Sequence, residues 1–180
     1  MRVLGLDPGS RRTGFGVVEA EGNHYRSLMS GRVSPPAKLD LPHRLHAIVE
    51  RVGELMDEFA PDCVAVEEAF YHESVRSTLV LGHVRGALLV AAVSRGLAVA
   101  EYSPREIKLS VTGRGGASKE QVAFMVQRVL ALKGELPQDA SDALAIALCH
   151  HHRSRVRLPS RAASVAARTL EALLERRRIQ

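Results

Sequence analysis

Apolar residues along this chain fall into patterns that mark most of its elements. Short, nearly continuous apolar runs occupy residues 2 to 6 (RVLGL), ending at Asp7, and residues 63 to 67 (CVAVE), which predicts buried strands. Residues 13 to 19 (TGFGVVE) predict another strand, reached from the first through the Pro8-Gly9-Ser10 turn, and a third β-run spans about 24 to 34, before Pro35-Pro36. Leu41, Leu45, Ile48, Val52, Leu55 and Phe59 then recur at helical spacing, which predicts an amphipathic helix with its polar side to water. Residues 76 to 95 are apolar around most of a helix circumference and predict a helix covered on both sides. A strand at about 97 to 102 follows, then a loop holding Gly113-Arg114-Gly115-Gly116, a helix from Ser118 to about 132 and another at about 139 to 152. No internal repeat is present. Three strands in succession, followed by alternating helix and strand, predict an α/β fold: a mixed five-stranded sheet with helices on both faces and sites beyond the strand ends.

Composition narrows the class. A chain of 180 residues with 46% hydrophobic positions suits one globular domain rather than a disordered or fibrous protein. No uninterrupted apolar run approaches ~18 residues, so no membrane span or membrane partner is expected. The N-terminal stretch meets Asp7 at once and lacks a signal-peptide core, which points to the cytoplasm. Cys63 and Cys149 lie far apart in apolar surroundings and suggest neither a disulfide framework nor a zinc ribbon. His150, His151 and His152 are consecutive on one helix and point different ways, so they are not expected to share an ion.

Charge is unevenly placed. Residues 1 to 150 carry 17 basic and 18 acidic side chains, and residues 151 to 180 carry 8 and 2. A near-neutral body of residues 1–155 with a basic C-terminal tail, 156–180, suits a polyanion, and nucleic acid is the first choice. The tail's Val165, Leu170, Leu173 and Leu174 recur at roughly helical spacing, so it reads as partly helical or as a frayed basic extension.

The acids carry the chemistry. Asp7 ends an apolar strand, where a carboxylate needs a partner: either it caps the following turn or it serves a site. Glu67 and Glu68 end another strand, and alternation lets one of them face the way Asp7 does. Asp139 and Asp142 stand three apart at the start of an apolar helix, where they share a face and also complement the helix dipole. Four acids from two strand ends and one helix form an oxygen-only set suited to hard cations such as Mg²⁺ or Mn²⁺. Two such ions about 3.5 to 4 Å apart would activate a water and stabilise the leaving oxygen of phosphodiester hydrolysis.

LGLDPGSRRTGFGV at 4 to 17, VAVEEAF at 64 to 70 and PQDASDALAIALCHHH at 137 to 152 closely resemble the RuvC family of Holliday junction resolvases. The resemblance covers about residues 1 to 155. It implies a ribonuclease-H-like fold and a homodimer that resolves four-way DNA junctions by paired, symmetric, Mg²⁺-dependent nicks in homologous recombination and DNA repair. Two Mg²⁺ ions per subunit would do this, with Mn²⁺ as a substitute and a branch-migration motor as a partner. The family's metal-binding catalytic acids fall on Asp7, Glu67, Asp139 and Asp142, and its motif selects Glu67 over Glu68. Some members have His at the first acid of the helical pair, where this sequence keeps Asp139. Lys108 and Lys119 match the family's basic positions near the scissile phosphate, Lys119 being assigned a catalytic part as well as DNA binding.

Other DNA contacts are expected from the residues themselves. Arg114 and its flanking glycines could lie along a phosphodiester backbone. Phe70 and Tyr71 directly follow the acidic pair and precede a loop-like HESVRS, so a ring there could stack on a base, with plain packing as the alternative. The resemblance places Phe70 where the family inserts a ring at the opened junction. Gly82 and Gly86, four apart, leave a small-residue strip where two copies could approach closely. Two other classes compete: a sugar- or acetate-kinase-like ATPase, suggested by Asp7-Pro-Gly-Ser but lacking the length for a duplicated domain, and a non-catalytic junction binder, which four acids would hinder.

Overall fold

Three strands open the chain, as the apolar runs predict: β1 (Arg2–Asp7), β2 (Thr13–Glu21) and β3 (His24–Val33). Then come α1 (Leu41–Phe59), β4 (Cys63–Glu67), α2 (Val75–Val93), β5 (Ala98–Tyr102), α3 (Pro104–Thr112), α4 (Lys119–Val129) and α5 (Gln138–Val156). The structure, a computed structural model, describes residues 1–68 and 74–156. Phe70, Tyr71 and nearly all of the basic tail lie outside the described residues.

The sheet order is β3-β2-β1-β4-β5, with β1, β2 and β3 antiparallel and β1, β4 and β5 parallel, which is the predicted mixed layout. Strands β1 and β4 read as continuous apolar runs because both of their faces are covered. Val3, Cys63 and Ala65 face a core built with α3, α4 and α5, whereas Leu4, Leu6, Val64 and Val66 face one built with α1 and α2. Asp40 caps α1 by accepting from the His43 backbone N–H at 3.1 Å, and Ala60 ends that helix in the left-handed region.

Helix α5 runs directly under the sheet. At Gly5 a Cβ would strike the Ala143 carbonyl and come within 2.8 Å of the Ala147 backbone nitrogen, so only glycine lets this helix lie so close to β1. Every residue from Ala143 to Cys149 is buried as a result.

Two expectations need correction. Helix α3 falls where the sequence reading placed only a connection. Its signal was Ser103-Pro104-x-Glu106: Ser103 accepts from the Glu106 backbone at 3.3 Å, Glu106 accepts from the Ser103 backbone at 3.0 Å, and Pro104 opens the helix. Helix α2 is not covered on both sides within the chain. Val84, Leu88, Ala91 and Ala92 are buried toward α1 and the sheet, while Leu79 and Val90 stay 61% and 65% exposed. Mean hydropathy makes α2 long and apolar enough to cross a membrane, which the lack of an uninterrupted run had argued against, although Arg76 and Arg85 interrupt it.

Candidate active site

Asp7 and Glu67 end two neighbouring parallel strands, one residue beyond the paired positions Leu6 and Val66, so both leave the sheet at the same edge. Across β2, Asp7 is paired with Gly14, and the Asp139 backbone lies against that glycine where any side chain would collide. Gly14 therefore lets the first turn of α5 sit beside Asp7, which brings in Asp142. Together Asp7, Glu67, Glu68, Asp142, Lys108 and Lys119 border a pocket of about 320 Å³ floored by apolar residues including Ile107 and Ile146.

The acids oppose one another there. Burial pushes the Asp7 carboxyl up to about 7, the charges of Glu67, Asp142 and Asp139 push the same way, and Lys119 works against them. Asp142 is likewise raised by burial and by Asp139, against the pull of Lys119 and Lys108. Lys119 Nζ stands 3.4 Å from Asp142 Oδ2. Asp7 has no hydrogen bond or ion pair among the described residues, so it does not cap the turn after β1. Thr13 closes that turn, its hydroxyl donating to the Gly9 carbonyl at 2.8 Å.

This donor set fits a hard divalent cation. The donor atoms are carboxylate oxygens, and Asp7, raised first by burial and then by the charges of Glu67, Asp142 and Asp139, stands where a cation would offset both effects. Among the described residues, no three His, Cys, Asp or Glu side chains are gathered tightly enough to grip an ion as they stand.

Most predicted residues fall at this edge, though not all alike. Glu67 is half-buried and acts on Asp7, whereas Glu68 is exposed at the rim, its N–H bonded to the Tyr102 carbonyl. Asp139 is half-buried one turn before Asp142 and acts on both Asp7 and Asp142 through its charge. Lys108 reaches the pocket from α3, the helix missed in the sequence. Arg114 is exposed in the α3–α4 loop and borders a separate shallow hollow with Phe124 and Met125. The three consecutive histidines separate as expected: His150 contacts Cys63 and Tyr102, His151 the Val18 carbonyl, and His152 Ser110. Both cysteines are free and buried.

Sequence reasoning missed Arg85. From α2 its Nε donates to the Glu67 carbonyl at 3.3 Å, and its other end pairs with Glu101 on β5. This fixes the backbone that carries Glu67. An arginine set directly before the apolar run GALLVAAV of α2 was the available signal.

Comparison with known proteins gives the family. The family model described as crossover junction endodeoxyribonuclease RuvC matches residues 3–150. A crossover junction endodeoxyribonuclease RuvC from Bordetella avium is 49% identical over 152 residues, which is 84% of each chain. The Thermus thermophilus RuvC solved in complex with a Holliday junction substrate superposes with a TM-score of 0.82 at 38% identity, covering 87% of this chain and 96% of that one. A yeast mitochondrial Holliday junction resolvase shares the fold at a TM-score of 0.62 and 14% identity, covering 84% of this chain and 78% of its own. The kinase-like alternative finds no second copy of the sheet among the described residues. With the family pattern running nearly from end to end of the described fold, and its acids at the strand edge where the pocket forms, this chain belongs to the RuvC family of crossover junction endodeoxyribonucleases, metal-dependent nucleases.

Proposed function

We propose that this protein resolves four-way DNA junctions by hydrolysing one phosphodiester in each of two symmetric strands, in recombination and repair. The observation that carries the reading is the meeting of Asp7, Glu67 and Asp142 with Lys108 and Lys119 in one pocket at the strand ends. The Thermus relative solved with a Holliday junction substrate supports the choice of DNA.

Asp7, Glu67, Asp139 and Asp142 would hold two Mg²⁺ ions, or Mn²⁺ in their place. When bound, the ions supply an activated water and positive charge for the leaving oxygen. The chain's own groups do the rest. Arg85 holds the Glu67 backbone, and Asp139 and Asp142 are set by the seat of α5 on Gly14. Lys119 and Lys108 bring ammonium charge to the pocket where the scissile phosphate would lie, opposing charge build-up on its oxygens. Phe70 and Tyr71 would stack on bases opened at the crossover, and Arg114 would follow the backbone further along.

Two symmetric nicks need two related sites, so the active species is a homodimer. The exposed stripe on α2 supports this: a side chain added at Gly82 or Gly86 meets nothing within 4 Å, and Leu79 and Val90 flank those glycines. Such a substrate sets the protein's work in the cytoplasm beside a branch-migration motor, for which the family likeness is the support.

The test is to incubate the protein with a synthetic four-way junction, a matched duplex and single strands, with Mg²⁺, Mn²⁺ or chelator, and to map the product ends. Paired symmetric nicks on the junction alone, lost with chelator, are expected. Junction binding without nicks under any divalent metal would overturn the reading in favour of a binding protein.

A further inference from the structure

The catalytic pocket is a poor place to capture a polyanion, because its acids repel phosphate before any cation arrives. The attraction must come from elsewhere on the molecule. Next to the pocket, a larger hollow of about 780 Å³ is lined by Arg11, Arg44, Arg76, Ser10 and Ser77, with no acidic residue in its lining. Its arginines come from three separate elements: the β1–β2 turn, the first turns of α1 and the start of α2. Leu81 borders both hollows, and Pro8 in this one directly follows Asp7 in the other, so the two are continuous.

Three guanidinium groups gathered without a counter-charge repel one another and stabilise nothing in the fold itself. Among the described residues none of the three has an ion pair. Arg44 feels the charge of Asp40, but that carboxylate is hydrogen-bonded to His43, at 3.1 Å through the backbone and 2.5 Å through the ring. Arg44 Nε is buried and lacks a hydrogen-bond partner, so no hydrogen bond within the chain accounts for the placement of that guanidinium. Planar guanidinium forks beside serine hydroxyls match the oxygens of a phosphodiester.

We propose that Arg11, Arg44 and Arg76 form a phosphate-binding groove, distinct from the metal site, that holds the backbone of the DNA strand as it leaves the catalytic pocket. This rests on the reading of the protein as a junction nuclease and adds where the substrate's arm is gripped.

The experiment measures equilibrium binding of the full-length protein to a four-way junction and to a linear duplex in chelator, with KCl varied over about 50 to 200 mM. Wild type is compared with Arg11→Gln, Arg44→Gln and Arg76→Gln, singly and combined, after thermal melts confirm folding. Each single substitution is expected to flatten the dependence of log affinity on log salt by roughly 0.9, and the triple by about 2.7. Arg51→Gln serves as control: its guanidinium pairs with Glu54 at 2.6 Å on the outer side of α1, and the slope should stay at the wild-type value. Slopes equal to wild type in all three single variants would overturn the groove. If the triple variant unfolds, the singles decide. Wild type that binds duplex but not junctions would overturn the junction reading while leaving the groove to be judged on duplex. Wild type that binds neither would overturn both.

Discussion

Helices α2 and α5 are both 19 residues long and each holds an unbroken apolar run, yet they have opposite fates. Helix α5 is enclosed, lying on glycine against β1 and β2 and roofed by α3 and α4. Helix α2 buries four residues and leaves Val75, Leu79, Val90 and Val93 exposed, on one stripe with Gly82 and Gly86 at intervals of three and four. An apolar helix thus declares that it is to be covered, not by what. The chain covers α5 itself and uses its rigid start to place two acids; α2 offers its bare face to a second copy under the proposed dimer.

The contrast is broken most sharply at the acid end of α5. Asp142→Asn keeps the size of the side chain while removing its charge, and nicking of a labelled four-way junction in Mg²⁺ should fall on the order of 10³-fold or more, about 4 kcal/mol in the barrier. Junction binding in chelator should persist or tighten, since one repulsive charge is gone. Nicking at the wild-type rate would remove Asp142 from the metal site.

Next in size is the core contact. Leu144→Ala, fully buried in α5 between the sheet and its covering helices, should cost about 3 kcal/mol of unfolding free energy by urea titration. Leu79→Ala, 61% exposed on α2, should change the same quantity by less than about 0.5 kcal/mol at concentrations low enough to hold the chain as a monomer. Equal losses would mean that α2 is packed within the chain after all.

Much of this architecture was legible beforehand, and the reason is local. Asp7 and Glu67 end apolar strands, where a carboxylate stands out against its neighbours, and Asp139 and Asp142 begin a helix that is otherwise apolar. The mixed layout of the sheet followed from three runs in succession and then alternation. What the pattern did not carry was anything decided by contacts between distant elements. Helix α3 is short and half polar, and was marked only by its capping box at Ser103 and Glu106. The arginines at 11, 44 and 76 are scattered in sequence and meet only once β1, α1 and α2 are assembled. Arg85 looked like an interruption of an apolar helix until its bond to the Glu67 carbonyl placed it. Likewise α2 and α5 each hold an unbroken apolar run, and only the fold reveals which one runs out of neighbours.

Burial of Asp7 at the end of β1, with Glu67 and the α5 acids beside it, also destabilises the metal-free protein, which gives a smaller and pH-dependent effect. An unfolded Asp7 ionises near its ordinary value of 3.8, whereas the folded one holds its proton up to about 7. Between those values the folded state binds more protons than the unfolded state, so stability in chelator falls as pH rises through that window. Asp7→Asn lacks the penalty. In denaturant titrations the variant should match wild type near pH 4 and exceed it by about 2 kcal/mol near pH 5.5. Added Mg²⁺ should raise the melting temperature of wild type more than that of the variant. A gap that does not change with pH would show that burial and the neighbouring acids do not hold the proton on Asp7.

A further small change in free energy falls on α2 and separates the two helices most cleanly. Gly86→Leu adds a side chain where nothing stands within 4 Å, so it meets no clash in the single chain. Replacing a mid-helix glycine should stabilise the monomer by up to about 1 kcal/mol, through helix propensity alone. At a two-fold interface built on a glycine strip the same leucine would hold the helices apart. Sedimentation should then report one chain at concentrations where wild type sediments as two, with a melting temperature for the monomer equal to or above that of wild type. Nicks on a four-way junction should lose their pairing, appearing on one strand at a time. A substitution at the equivalent depth of α5 cannot give that combination, because there the covering surface belongs to the same chain and any added volume destabilises the fold. A Gly86→Leu protein that stays dimeric and nicks in pairs would mean that two copies meet on some other face, and that the bare stripe of α2 is covered by a different partner.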